Sequence, residues 1–580
     1  MAFAQEKSNT KFCIYQLIVR LFGNANPNPK LNGNKLENGC GTFKEINQAA
    51  LNSIRDLGVE SIWLTGILRH ASQTNYSTSG IAPNHPSTVK GNAGSPYAIT
   101  DFFDVDPDLS ENPDDRWKEF NDCCKRIHSA EMKVLIDFIP NHTARQYRSE
   151  TAKSLGLRDL GEHDFTHEPF HPNNHYYYIP DQALKIPSEG DSDSETPFYE
   201  FPAKATGNDC FTAYPTTNDW YETVKLNYGR NFLSHQNFFD PTPATWNYMK
   251  EVLRFWAQKG IDGFRCDMVE LVPIEFWSWV IPQIKSEFPH LIFIGEVYNP
   301  TLYQTFIHQG RFDYLYDKVG LYDEVRALIE GHGDANRITG IWQNQEGFEH
   351  KMLRFLENHD EQRIASPLVG KEATRALPGL VVSTMMGRGP FMIYFGQELG
   401  EKAEGTSGFS GDDGKTSIFD YTVVPTILKW NQKGKWNAQK LPESLKEIRQ
   451  SYKKIIDFAQ ETKAIRSGLF FDLQYANQHN PAYNSRLIYS FIRYSGKEIF
   501  LIIASFSSED QWVRIQIPAE AWYALGISSE SLCRFEDVFE ESTPVEFYVK
   551  SSFQSDGGSA GILIPVKSFG YPVLKMTPIS

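Results

Sequence analysis

The 580-residue sequence predicts an α/β fold: a (β/α)8 TIM-type barrel with an inserted domain after its third strand and a C-terminal antiparallel β-sandwich. Three observations carry this expectation. Short apolar, β-branched runs alternate with amphipathic helical patterns over most of the chain. The alternation breaks once, between about 143 and 243, over a stretch rich in Asn, Asp, His, Tyr and Pro. Beyond about residue 465 the pattern becomes one of strands alone.

Residues 13–19 (Cys-Ile-Tyr-Gln-Leu-Ile-Val) open the barrel as a strand, and Ile46, Ala50, Ile54 and Leu57 then share one helical face. Glu60–Leu64 predicts the second strand, 113–130 a helix, Val134–Phe138 the third strand and Asp262–Asp267 the fourth. A helix through Trp277, Val280, Ile284 and Phe288 leads to a fifth strand at 291–295, and the alternation runs on through Phe391–Phe395, giving eight units. Apolar strands separated by amphipathic helices imply a parallel sheet covered on its outside, and eight of them close into a barrel. A last helix, with Leu445, Ile448, Tyr452, Ile455 and Ala459 on one face and Pro442 in its first turn, completes it. Leu487–Arg493, Ser495-Gly496 and Ile499–Ala504 then read as a β-hairpin. The expected domains are 12–142 with 244–465 for the barrel, 143–243 for the insert and 466–580 for the sandwich. The insert, which includes the acidic Ser188–Glu195 segment, is far longer than an ordinary connection.

Composition narrows the function. With 41% hydrophobic and 22% charged residues, no apolar run approaches the roughly 18 residues of a membrane-spanning helix. A net charge of −15 without any Lys/Arg block argues against nucleic acid or anionic membrane as the partner and favours a neutral substrate. Seven cysteines, an odd number, do not form a disulfide framework. Cys13 and Cys266 fall inside strand patterns and read as buried thiols; the adjacent Cys123-Cys124 are too close for zinc spacing. Ala2-Phe3-Ala4 before Gln5 has the form left by signal peptidase. If Met1 replaces a removed signal peptide the protein is periplasmic or secreted; otherwise it is cytoplasmic.

Four short blocks carry the chemistry: Asp137-Phe138-Ile139-Pro140-Asn141-His142, Gly263-Phe264-Arg265-Cys266-Asp267, Gly295-Glu296 and Glu357-Asn358-His359-Asp360. At least two end an apolar run, so acids, an arginine and histidines collect where strands stop, the rim on which barrel active sites are built. Singly, each acid reads as a helix cap or a loop residue; their co-occurrence in order argues for one site. On a strand Arg265 and Asp267 share a face while Cys266 points to the outer helices. The guanidinium keeps Asp267 ionised, as a nucleophile requires. Glu296, near other acids and apolar walls, is expected to have a raised pKa suited to protonating a leaving oxygen. Carboxyl groups about 5 Å apart predict a retaining glycosidase; roughly 6.5–9.5 Å predicts inversion.

These blocks resemble the four signature regions of the α-amylase superfamily of glycoside hydrolases and transglycosylases. Val224-Lys225-Leu226-Asn227 resembles its additional signature in the form found in maltodextrin- and cyclodextrin-acting members, and Ile14-Tyr15-Gln16 and Tyr97 also resemble family positions. The resemblance implies Asp267 as nucleophile, Glu296 as general acid/base and Asp360 as the acid that orients substrate hydroxyls, with Arg265 fixing Asp267. It further implies His142 and His359 as sugar-binding residues, Tyr97 as a stacking ring, and calcium near Asn141. Met268-Val269-Glu270-Leu271 departs from the Lys-His pair of many endo-acting members, which touches the leaving-group subsite and one calcium contact. Gly411-Asp412-Asp413-Gly414-Lys415 lacks the Arg-Pro-rich form of several oligosaccharide-acting branches. Tyr176-Tyr177-Tyr178 and Asp219-Trp220-Tyr221 offer rings for sugar platforms, within an aromatic set most of which is expected to be core. The implied activity is a retaining hydrolase of α-1,4-linked glucans or maltodextrins. Its alternatives are a transglycosylase or isomerase with the same residues and, remotely, a non-catalytic binding subunit.

Overall fold

The computed structural model describes residues 11–187, 197–405, 408–553 and 561–579; Ala2-Phe3-Ala4 and Ser188–Glu195 lie outside them. Eight parallel strands close into a barrel: β1 (Cys13–Ile18), β2 (Ser61–Thr65), β3 (Lys133–Phe138), β4 (Gly263–Cys266), β5 (Ile292–Gly295), β6 (Tyr314–Tyr316), β7 (Met352–Phe355) and β8 (Phe391–Tyr394). The ring closes where Cys13 of β1 lies opposite Phe391 of β8. Strand periodicity divides the residues into two layers. Ile14, Trp63, Leu135, Ile294, Tyr316, Leu353, Phe355 and Met392 fill the interior. Their neighbours, among them Tyr15, Ile62, Val134, Phe264, Cys266 and Phe293, pack outward against the helices. Gly263 admits close approach of the flanking strand, because a Cβ there would meet the Ile292 carbonyl oxygen at 2.6 Å.

The outer ring comprises α1 (Gln48–Asp56), α2 (Arg116–Ser129), α3 (Ala244–Gln258), α4 (Ile274–Glu287), α5 (Tyr303–His308), α6 (Asp323–Glu330), α7 (Leu377–Met385) and α8 (Glu443–Glu461). Helix α1 starts where the Asn47 side chain accepts from the Ala50 N–H, and α8 buries Tyr452, Ile455 and Ala459 as their spacing predicts. Pro442 precedes α8 as its N-cap rather than entering the first turn. Every residue of α7 is buried, which explains its lack of a polar face. Strand β6 is only three residues, Tyr-Leu-Tyr, and so gives the weakest strand pattern of the eight.

Between β3 and α3 the chain makes short antiparallel pairs, His142–Ala144 with Thr223–Lys225 and Tyr178–Ile179 with Ala203–Lys204. Tyr176, Tyr177 and Tyr178 are buried within this segment, so they serve as its packing and not as sugar platforms. After the barrel come β9 (Leu469–Asp472), β10 (Ile488–Ser495), β11 (Glu498–Ser505), β12 (Gln511–Ile515), β13 (Leu532–Asp537), β14 (Val545–Tyr548), β15 (Ile562–Val566) and β16 (Val573–Pro578). Six form an antiparallel sheet in the order β9-β10-β11-β16-β13-β14, and β12 pairs with β15. Ile488, Ile492, Leu501 and Ile503 of the larger sheet share one core with Val513, Ile515, Ile562 and Ile564 of the smaller.

Arg493 on β10 joins this unit to the barrel. Its buried guanidinium donates to the carbonyls of Met386 (2.7 Å), Ala464 (3.1 Å), Ile465 (2.8 Å) and Gly468 (3.1 Å). Burial pushes its pKa down to about 9. Each orphaned buried carbonyl costs on the order of 1–3 kcal/mol, so Arg493→Met should lower stability by more than ~2 kcal/mol. Urea titration should show an earlier first transition; an unchanged midpoint would remove the joint from this role.

Candidate active site

Alternation on β4 directs Phe264 and Cys266 into the helix layer and Arg265 into the barrel, level with Asp137 on β3 and Ile294 on β5. Arg265 is fully buried. Its Nη1 donates to Asp267 Oδ1 at 2.7 Å, its Nη2 lies 2.6 Å from Glu296 Oε1, and its Nε donates to the Tyr316 hydroxyl at 3.1 Å. Asp137 and Asp360 stand farther out, at 3.8 and 4.0 Å. The rings of Trp63, Tyr97 and Tyr316 surround the guanidinium at 5.4 to 5.6 Å. One cation thus meets four carboxyl groups in a site walled by aromatic rings.

Such a site cannot hold four negative charges. Burial, with Asp267 and Asp360 nearby, raises Glu296 to about 8 against the pull of Arg265. Burial likewise raises Asp137 to about 7. Glu296 is therefore largely a carboxylic acid at neutral pH, as the sequence predicts. Its Oε2 accepts from the Met268 N–H at 2.8 Å, and Tyr298 donates to its Oε1 at 3.0 Å. Met268 reaches it from a left-handed turn, φ 43°, an uncommon conformation for a non-glycine residue.

The two histidines are buried and neutral. Burial lowers His142 to about 4, and burial with the Arg265 charge lowers His359 well below its usual value. Gln16 Nε2 lies 2.8 Å from His359 Nδ1, so Nδ1 accepts and the ring proton sits on Nε2, 3.1 Å from Asp360 Oδ2. His359 is thereby aimed at Asp360, whose side chain is 39% exposed. Tyr97 stacks on His359 with centroids 5.0 Å apart and donates to Asp137 at 3.2 Å. The ring is 9% exposed, with His359 stacked on it and the Arg265 guanidinium 5.6 Å from its centroid. Of the Asp219-Trp220-Tyr221 group, Tyr221 is buried while Trp220 meets the His142 ring edge-on at 5.4 Å.

Asp267, Glu296, Asp360, Tyr97, His142, Arg265 and His359 are therefore brought to one rim. Asn141 is beside His142 but fully buried, its Nδ2 donating to the Gly207 carbonyl at 2.8 Å and its Oδ1 accepting from Lys225. Asp137, Tyr298, Tyr316 and Trp63 were not singled out by sequence as site residues. Asp137 opens the first signature block and carried a signal; the aromatic residues are indistinguishable in sequence from core.

A closed parallel barrel whose strand ends converge acids on one buried arginine defines a rim-site enzyme architecture. The model of the alpha amylase catalytic domain matches residues 27–464, and the chain belongs to the α-amylase family. It is 25% identical over 396 residues to an alpha-amylase of Streptomyces lividans, covering 64% of this chain but only 41% of that protein. It is also 25% identical over 326 residues to the human amino acid transporter heavy chain SLC3A1, covering 54% of this chain and 35% of that one. The solved alpha-amylase of Geobacillus thermoleovorans, complexed with acarbose, shares the fold with a TM-score of 0.62, 19% identity and 99% and 100% coverage of the two chains.

Protonated carboxyls at pH 6 are a checkable consequence. Ordinary carboxyls titrate near 4, so infrared spectra should show carboxylic C=O intensity lost near 7, from Asp137 and from Glu357, which burial also raises to about 7, and near 8 from Glu296. Glu296→Gln should remove the upper step and Asp137→Asn part of the lower. Since both folded-state values lie above the unfolded ones, the stability they contribute is present in acid and is lost as pH rises through 7 and 8. No band surviving above pH 5 would contradict this.

Proposed function

We propose that the protein is a retaining glycoside hydrolase that cleaves α-1,4-glucosidic bonds in starch-type glucans or maltodextrins by double displacement. The observation that carries the reading is the pairing of Asp267 and Glu296 on the two ends of one guanidinium, with Glu296 raised to about 8. Attachment to a common cation favours the closer carboxyl spacing of retaining enzymes over the wider gap that admits a water between them.

In this reading the Asp267 carboxylate attacks the anomeric carbon while Glu296 gives its proton to the departing glycosidic oxygen. Water then attacks the glycosyl ester, Glu296 takes up its proton, and Asp267 is released as carboxylate with the α configuration restored. Asp360, partly exposed and oriented by His359, accepts from sugar hydroxyls and stabilises the positive charge that develops at the ring. Neutral His142 and His359 can exchange hydrogen bonds with hydroxyls without adding charge. Tyr97 is the ring that this reading sets against the apolar face of a pyranose. The resemblance to a transporter heavy chain suggests a binding subunit instead, but a binding role has no use for a carboxylic acid raised to about 8 beside a second carboxyl on the same guanidinium, and all three acids are present.

Maltoheptaose followed by NMR should first yield α-anomeric products. Asp267→Asn and Glu296→Gln should each lower kcat/KM by at least about 10²-fold, the usual worth of positioned acid–base groups. In the wild type kcat/KM should fall as pH rises through about 8, where Glu296 loses its proton. Initial β-anomers, or wild-type rates in Glu296→Gln, would overturn the assignment.

A further inference from the structure

The family resemblance implies calcium at Asn141, yet the side-chain oxygen that would face it is taken. Lys225 Nζ donates to Asn141 Oδ1, lies 2.7 Å from Asp209 Oδ1 and donates to the Leu271 carbonyl at 3.2 Å. An ammonium has three N–H donors; here Asn141 Oδ1 and the Leu271 carbonyl accept hydrogen bonds from it, and Asp209 faces it as an ion pair, so three separate stretches of chain meet on one charge. The Lys225 side chain is 2% exposed. Calcium requires six to eight oxygens, commonly several of them carboxylates. Asp209 is the one carboxylate on this group, and among the described residues no set of three or more His, Cys, Asp or Glu side chains is gathered for a metal. A divalent ion in place of the ammonium would have half of its own charge left uncompensated by Asp209. The residues present do not fit calcium.

We infer that Lys225 is a built-in substitute for a divalent cation, clamping the inserted segment to the barrel rim and making the protein's integrity independent of calcium. The clamp has two arms. On one side, Lys225 pairs with His142 across the short antiparallel ladder, and the Leu226 N–H donates to the Asn141 carbonyl at 3.0 Å. His142 therefore takes its place in the site from the same clamp. On the other side, Leu271 belongs to the turn that follows Asp267, and its neighbour Glu270 accepts from the Asn299 N–H at 2.6 Å. Leu271 stands where the sequence departs from the expected Lys-His pair: its side chain differs, but the contact it supplies is a main-chain carbonyl, which any residue provides. The Lys in Val224-Lys225-Leu226-Asn227 and the lack of further acids around Asn141 thus belong to one device. It does not depend on which glucan the site accepts.

The test is thermal unfolding of the full chain after exhaustive EDTA treatment and again with millimolar calcium chloride, alongside Lys225→Met and Asp209→Asn. The wild type should melt at the same temperature in both. Lys225→Met should melt several degrees lower, because Asp209 and Asn141 lose their buried partner. A wild-type melting temperature that falls in EDTA, is restored by calcium and loses that response in Asp209→Asn would place a metal here and overturn the inference. A Lys225→Met protein as stable as the wild type would overturn it also. Should Lys225→Met fail to fold, the EDTA and calcium comparison on the wild type and Asp209→Asn still decides.

Discussion

Arg265 is the charge on which the site depends. At an effective dielectric of about 20, a unit charge 4 Å away is worth about 4 kcal/mol, while burying an ionised carboxylate costs several. One guanidinium cannot offset the burial of all four carboxyl groups that face it. Asp267 accepts a hydrogen bond from Nη1 at 2.7 Å. Glu296, although 2.6 Å from Nη2, is more deeply buried and has Asp267 and Asp360 beside it, and it rises to about 8, while burial raises Asp137 to about 7. Proximity to the cation therefore does not by itself fix which carboxyl keeps its proton.

The barrel supplies the constraint that makes this allocation possible. Arg265 is fully buried in the barrel interior, level with Asp137 and Ile294 and with the rings of Tyr316 and Trp63 5.4 Å away. It cannot rotate toward solvent, so the acids come to it. Neutral His142 and His359 follow from the same burial, since two more cations would discharge the acids that Arg265 shares.

Much of this was legible in sequence because it depends on short-range periodicity. The period of two in Gly263–Asp267 put Arg265 and Asp267 on one face, and apolar runs before Asp137 and Gly295 located the rim. What was illegible depends on contacts far apart in the chain. Tyr316 and Trp63 read as core and are core, yet they also wall the guanidinium. Tyr298 gave no pattern at all. The three consecutive tyrosines at 176–178 suggested platforms and proved to be packing, since exposure cannot be read from residue type in an aperiodic segment. Lys225 was visible within a motif, but its partner Asp209 lies sixteen residues earlier in the irregular insert.

Covalent trapping tests the central claim most directly. A fluorinated α-glucosyl fluoride, which forms the glycosyl ester faster than water removes it, should add one sugar mass to the active protein. Peptide mapping should place that mass on Asp267, with Arg265→Met losing the adduct because its carboxylate is no longer held. A stable adduct on another residue, or full activity without any adduct, would contradict the assignment of Asp267 as the nucleophile that Arg265 holds in place.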